Sequence, residues 1–189
     1  MIVSSNEDLI KLCSEEQNIK YTFFWGHTKS KDNSITKSCF SQWYEAEFTV
    51  NGLLFKNAEQ YMMNEKAKLF DDTIVFNQIM AADSPKEVKE LGRKIANFDS
   101  QIWNQNKFNI VVDGNYAKFS QNPELADFLL KTDDSVIVEA SPYDKIWGIG
   151  LAENDKDIKN PLLWKGLNLL GYALMIVREK LKYQKPIVE

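Results

Sequence analysis

The apolar positions of this chain change period several times, and each change predicts an element. Tyr21-Thr22-Phe23-Phe24-Trp25 is a β-prone run closed by Gly26, so a strand is expected there. Residues 45–50 and 53–55 are further β-prone runs, separated by Asn51-Gly52, a dipeptide suited to the positive φ angles of a tight hairpin turn. From Asn57 the period becomes helical. Asn57 is a good N-cap, Gln60 can reach back as its capping-box partner, and no Gly or Pro follows before Phe70. One stripe of that helix carries Glu59, Met62, Met63, Lys66, Leu69 and Phe70. Asp71-Asp72 caps a helix over 73–82, and Ser84-Pro85-Lys86-Glu87 opens another that should run to Ala96. A longer helix is expected over 100–119 with Gly114 as its weak point, then a short one from Asn122-Pro123-Glu124 to Lys131. Residues 135–140 predict a strand, followed by a loop over 141–150. Asn160-Pro161 should open a last helix with Leu163, Leu167, Leu170, Leu174, Val177 and Leu181 on its core face. A short helix is expected around residues 7–14, a polar surface loop over 27–38, and a frayed end after Tyr183. The fold class is α-rich α+β, a small sheet and hairpin packed on a multi-helix core. Residues 1–20 form an N-terminal extension, 21–183 one domain and 184–189 a tail.

The composition narrows the function classes. A length of 189 residues suits one domain with a sizeable core, and 44% hydrophobic with 26% charged residues excludes wholesale disorder. Five Trp, seven Tyr and eleven Phe supply core rings and also flat faces for a small-molecule pocket. The net charge of −4 gives no overall nucleic-acid signature and leaves only a local basic patch open. Cys13 and Cys39 fit neither a disulfide framework nor a zinc site, and read as free thiols in a reducing, cytoplasmic setting. Asn6-Glu7-Asp8 interrupts any signal-peptide pattern, and no apolar run approaches the roughly 20 residues that cross a bilayer. His27 is the single histidine, so no multi-histidine metal site is expected.

The charges on the apolar stripe are the first chemical signal. Glu59 and Lys66 either sit at its edges and reach water, or face one cleft; burying them is costly unless they are paired or used. Asp144 and Trp147 lie in a loop that leaves the C-terminal end of a strand, a usual place for function. Asp144 is equally good turn chemistry, and Trp147 equally a core ring. Arg93, after Gly92, suits either a phosphate or solvent. Phosphate-loop, dinucleotide, nucleophile-elbow and zinc-protease motifs are absent. A carboxylate, an amine and aromatics suit cleavage of an N-glycosidic bond, although their spacing does not single out that chemistry.

The ordered series Phe40-Ser41, Ala58-Glu59-Gln60-Tyr61-Met62, Glu65-Lys66, Leu91-Gly92-Arg93, Trp103, the run from Val138 to Gly150, and Gly166-Leu167-Asn168-Leu169-Leu170-Gly171 resembles the NADAR (YbiA-like) family over residues 22–182. The resemblance implies an N-glycosidase. Its substrate would be a riboflavin-pathway intermediate, releasing ribose 5-phosphate, or ADP-ribosylated guanine in nucleic acid. It also implies Glu59, Lys66 and Asp144 as catalytic residues. Phe40, Ser41, Tyr61, Arg93, Trp103, Trp147 and Gly148 would bind substrate. Neither cofactor nor metal is expected. Packed among Met62, Met63 and Leu69, Lys66 would have a lowered pKa and attack the anomeric carbon to form a Schiff base, with Glu59 moving protons. Direct attack by water is the competing mechanism, and a non-catalytic ADP-ribose or nucleotide-binding module is the alternative function. The 20 residues before Tyr21 depart from the bacterial pattern of the family.

Overall fold

The computed structural model describes residues 3–16 and 18–184. In chain order the elements are α1 (Asn6–Glu15), β1 (Tyr21–Phe24), a 3-10 turn (Lys37–Phe40), β2 (Phe48–Val50), β3 (Leu53–Phe55), α2 (Ala58–Leu69), α3 (Thr73–Ala81), α4 (Pro85–Gly92), α5 (Ser100–Gln121), α6 (Pro123–Leu130), β4 (Val136–Glu139), a second 3-10 turn (Pro161–Leu163) and α7 (Leu169–Gln184). Helices dominate, as the α-rich α+β pattern predicts. Among the described residues no helix is long and apolar enough to cross a membrane. The residues beyond Gln184, where the frayed tail was expected, lie outside the described ones. The chain groups into two compact units, residues 1–41 with 123–189, and residues 42–122.

In the first unit β1 and β4 pair in parallel, Tyr21 opposite Val136 and Phe24 opposite Glu139. A strand covered on both faces reads as a continuous apolar run. Accordingly Val136, Ile137 and Val138 are all buried. α7 packs on β4 with Leu170, Leu174 and Val177 buried, and Gly171 permits the approach, since a Cβ there would collide with the Ile137 carbonyl oxygen.

The last helix starts later than its apolar spacing predicts. Asn160-Pro161 opens only a 3-10 turn, and Leu163 and Leu167 are 47% and 50% exposed, not core. Asn168 is the cause. Its φ of 52° breaks the helical path, and its side chain serves β4: Oδ1 accepts from the Glu139 amide and Nδ2 donates to the Ile137 carbonyl, each at 3.0 Å. The N-terminal helix α1 is built into this unit. Ser5 caps it, Leu9 is buried, Asn6 Nδ2 donates to the Gly166 carbonyl at 3.1 Å, and Tyr172 Oη donates to Asn6 Oδ1 at 2.8 Å.

In the second unit Asn51 and Gly52 take φ of 51° and 79°, and β2 and β3 pair as the expected hairpin. Phe48, Phe55 and Tyr61 form one aromatic cluster. Gly114 is no weak point in α5: its missing side chain makes room for the Tyr61 ring. Asn57 caps α2 by accepting from the Gln60 amide at 2.9 Å, and Gln60 Oε1 reaches back to the Lys56 amide at 2.8 Å, one residue before the cap. α4 ends at Gly92, not at Ala96. The Ala96 amide donates to Asp72 Oδ2 at 2.8 Å, and Asn97 has a φ of 53°, so the segment leaves the helix early.

Candidate active site

The early end of α4 is what places Lys66. Its Nζ donates to the Gly92 carbonyl at 2.7 Å, one of the carbonyls left unpaired where the helix stops. Gly92 leaves room for the Met63 side chain on α2, which would have to shift to admit a Cβ there. The amine also lies 4.2 Å from the Phe98 ring centroid and 5.5 Å from that of Trp103. Burial among these groups lowers the Lys66 pKa. The ring faces and the negative end of the helix dipole act in the opposite sense, favouring the ammonium form.

Glu59 occupies the first turn of α2, where the positive end of the helix dipole stabilises a carboxylate. It is only 4% exposed, so of the two readings of this residue the solvent-reaching one fails. Its amide donates to the Gln42 carbonyl at 2.9 Å, and Gln42 Oε1 accepts from Asn115 Nδ2 at 2.7 Å. These bonds fix the start of α2 against α5 within the unit.

The other predicted residues of this unit divide. Trp103 joins Lys66, and Arg93 is exposed directly after Gly92. Tyr61 turns away into the Phe48–Phe55 cluster, and burial pushes its hydroxyl up to about 12. It stands as a core ring. Sequence reading did not single out Lys118. It is wholly buried on α5, its Nζ 5.5 Å from the Tyr44 ring centroid and 5.2 Å from that of Phe119. The available signal was a lysine at helical spacing on the face of Val111, Asn115 and Phe119, all of them buried.

In the first unit the loop over 141–150 is a set of nested turns. Ser141 Oγ accepts from the Asp144 amide at 3.1 Å, and Asp144 Oδ1 accepts from the amides of Ile146 and Trp147 at 2.8 and 2.7 Å. Asp144 is therefore a turn builder with Oδ1 committed to the backbone. Gly148 is pressed against the Glu139 carbonyl oxygen, which a Cβ would approach to 2.8 Å. Trp147 is half-buried, its carbonyl accepting from the Leu170 amide at 3.1 Å. Ser41 is half-buried and closes the first 3-10 turn onto Ser38. Phe40 departs from expectation. It has no exposed surface and lies 5.5 Å, centroid to centroid, from Phe24 and from Phe128, which makes it a core ring and leaves no face for a ligand to stack on.

The NADAR domain matches residues 23–182. An N-glycosidase of Acanthamoeba polyphaga mimivirus is 46% identical over 166 residues, covering 85% of this chain and 96% of that protein. An N-glycosidase of Nostoc punctiforme is 30% identical over 144 residues, covering 76% of this chain and 85% of that protein. The NMR structure of the Escherichia coli protein YbiA superposes with a TM-score of 0.70 at 25% identity, over 90% of this chain and 91% of that one. With a match that runs from β1 into α7, and relatives that align over most of both lengths, the chain belongs to the NADAR family.

Proposed function

We propose that this chain, an N-glycosidase like its curated relatives, hydrolyses the bond between ribose and a base, with Lys66 as nucleophile and Glu59 as the proton-transfer group. Its substrate is a riboflavin-pathway intermediate or an ADP-ribosylated guanine, and its setting is the cytoplasm. The observation that carries the reading is Lys66 itself, a half-buried amine between aromatic rings with its pKa lowered by desolvation. An ordinary lysine is almost wholly protonated at neutral pH; burial returns part of its lone pair.

Glu59 gives a proton to the ring oxygen as the sugar opens. The Lys66 lone pair then adds to the anomeric carbon. The base leaves with the electrons of its carbon–nitrogen bond and a proton released from the amine through Glu59. Water adds to the resulting Schiff base, the amine leaves as the sugar aldehyde forms, and the proton set free in this step returns to Glu59. One water is consumed and nothing is oxidised. Arg93, exposed beside Gly92, suits a substrate phosphate, and Trp103 a base or ribose face. In the first unit, Asp144 Oδ2 and the Ser41 hydroxyl suit sugar hydroxyls, and Trp147 a base, on the turn that Gly148 allows.

A second mechanism has its own support. An amine that donates to a helix-end carbonyl and lies over ring faces is also a well-held cation, and Lys66 would then act only as a charge while Glu59 activates water. Incubating the protein with an aminopyrimidine ribose phosphate and with an ADP-ribosylated guanine oligonucleotide, followed by mass spectrometry, tests the activity. Free base or released sugar is expected from one of them. Ligand binding without either product would make the chain a nucleotide-binding module instead.

A further inference from the structure

We propose that Trp25 and Tyr143 form a stacking platform for the bases of a single-stranded polynucleotide. Rings of this size are ordinarily buried for their apolar area. Trp25 is 57% exposed and Tyr143 85% exposed, yet the two touch, centroids 6.2 Å apart and planes tilted by 48°. Their meeting follows from the sheet. Trp25 comes directly after β1 and Tyr143 shortly after β4, and the strands are parallel, so both rings leave the same end of one pair. Gly26, with a φ of 84°, turns the chain immediately after Trp25, and Ser141 Oγ accepts from the Tyr143 amide at 3.4 Å. The rings are thus mounted on turns fixed to the sheet.

Geometry and charge select the occupant. Clasping a base between two rings needs parallel planes about 6.8 Å apart, two stacking intervals. The observed tilt forbids that and leaves the outer faces for stacking. A mononucleotide site encloses most of its ligand, whereas these faces are open. Between Trp25 and Ser38 the chain carries Lys29, Lys31 and Lys37 against Asp32, with Lys37 held by Glu153 at 3.1 Å, and Lys145 follows Tyr143 and Asp144. Lysines interleaved with exposed rings suit a single strand, whose phosphates follow the cations while successive bases take the rings. The net charge of −4 works against a duplex, whose phosphate charge is denser. The inference deepens the glycosidase reading by choosing bases borne on a polymer, but it stands on binding alone and does not use the chemistry of Lys66.

The test is a fluorescence-anisotropy titration of the full chain at low salt, with a labelled single-stranded DNA of roughly 12 nucleotides, within the usual site sizes. Saturable binding that weakens with salt is expected, and Trp25→Ala and Tyr143→Ala should each weaken it by about tenfold. Trp25→Phe and Tyr143→Phe, which keep a ring, should restore most of the affinity and guard against a misfolded alanine variant. The proposal is overturned by no saturable binding, by alanine variants that bind as the parent does, or by AMP competing at concentrations equal to those of the oligonucleotide. A dimer that dissolves on Tyr143→Ala would assign the rings to a second copy of the chain and also overturn it. Absence of glycosidase turnover would leave the titration result intact.

Discussion

Lys66 Nζ donates to the Gly92 carbonyl at 2.7 Å, so one helix ends on the amine of another. A cation at a helix C-terminus is worth about 0.3–1 kcal/mol, and a cation over an aromatic face about 0.5–2 kcal/mol. Both favour the ammonium form. Burial opposes them, and the pKa ends below the ordinary 10.5. If the neutral amine is the nucleophile, kcat/KM should rise with pH along a limb whose midpoint lies below 10.5. Lys66→Arg should remove both the limb and the turnover. The sign for stability is the same. Between the folded and unfolded pKa values the unfolded chain binds more protons, so stability contributed at this site rises with pH. A pH–rate profile unaltered in Lys66→Arg would leave the lysine as a charge only.

Reduction should trap the intermediate. Ribose 5-phosphate or ADP-ribose with borohydride should fix one sugar adduct, and peptide mapping should place it on Lys66. Lys56 and Lys68 are exposed and lie off the stripe. Lys118 is the discriminating control, because it is a fully buried amine of the second unit. An adduct on Lys118 would move the nucleophile to α5.

Glu59→Gln preserves side-chain size and the first turn of α2 but removes the transferable proton. The expected loss is on the order of 10²–10⁴ in kcat. A folded variant with near-normal turnover would take Glu59 out of the chemistry.

Trp147→Ala separates ligand stacking from packing. If the ring contacts ligand, the stabilisation that ADP-ribose gives in a thermal scan should shrink. If it serves only the core, Tm should fall with the ligand-induced shift unchanged.

The elements were legible where a local rule decides them. Asn51-Gly52 fixes the hairpin, Asn57 and Asp72 cap their helices, and the Val136–Glu139 run marks a strand buried on both faces. Boundaries set by distant partners were not. α4 stops at Gly92 because Asp72, 24 residues before Ala96, takes the Ala96 amide. Leu163 and Leu167 kept helical spacing but are exposed, since Asn168 spends its side chain on β4. At the site, a carboxylate on an apolar stripe pointed to buried Glu59. The Lys66–Gly92 bond had no local signal, because it depends on where another helix ends. Phe40 and Tyr61 show the limit of motif reading, which marks a ring without saying which way it faces.

Asn168 combines a backbone role and a side-chain role that substitution can separate. Asn168→Gly keeps the φ of 52° accessible but abandons the Glu139 amide and the Ile137 carbonyl. Leaving a buried carbonyl and a part-buried amide unpaired, at about 1–3 kcal/mol each, should cost roughly 2–6 kcal/mol. Asn168→Ala loses the same bonds and adds a left-handed strain of about 1–2 kcal/mol, so it should be the less stable of the two. Urea unfolding should therefore rank asparagine above glycine and glycine above alanine. The site should respond as well. The amides of Leu167, Asn168 and Leu170 donate to the carbonyls of Lys145, Gly148 and Trp147, so this segment also holds the 141–150 loop. KM should rise in the glycine variant at temperatures where it remains folded. An alanine variant at least as stable as glycine would show that the left-handed backbone is unstrained, and an unchanged KM would show that the loop holds its shape without Asn168.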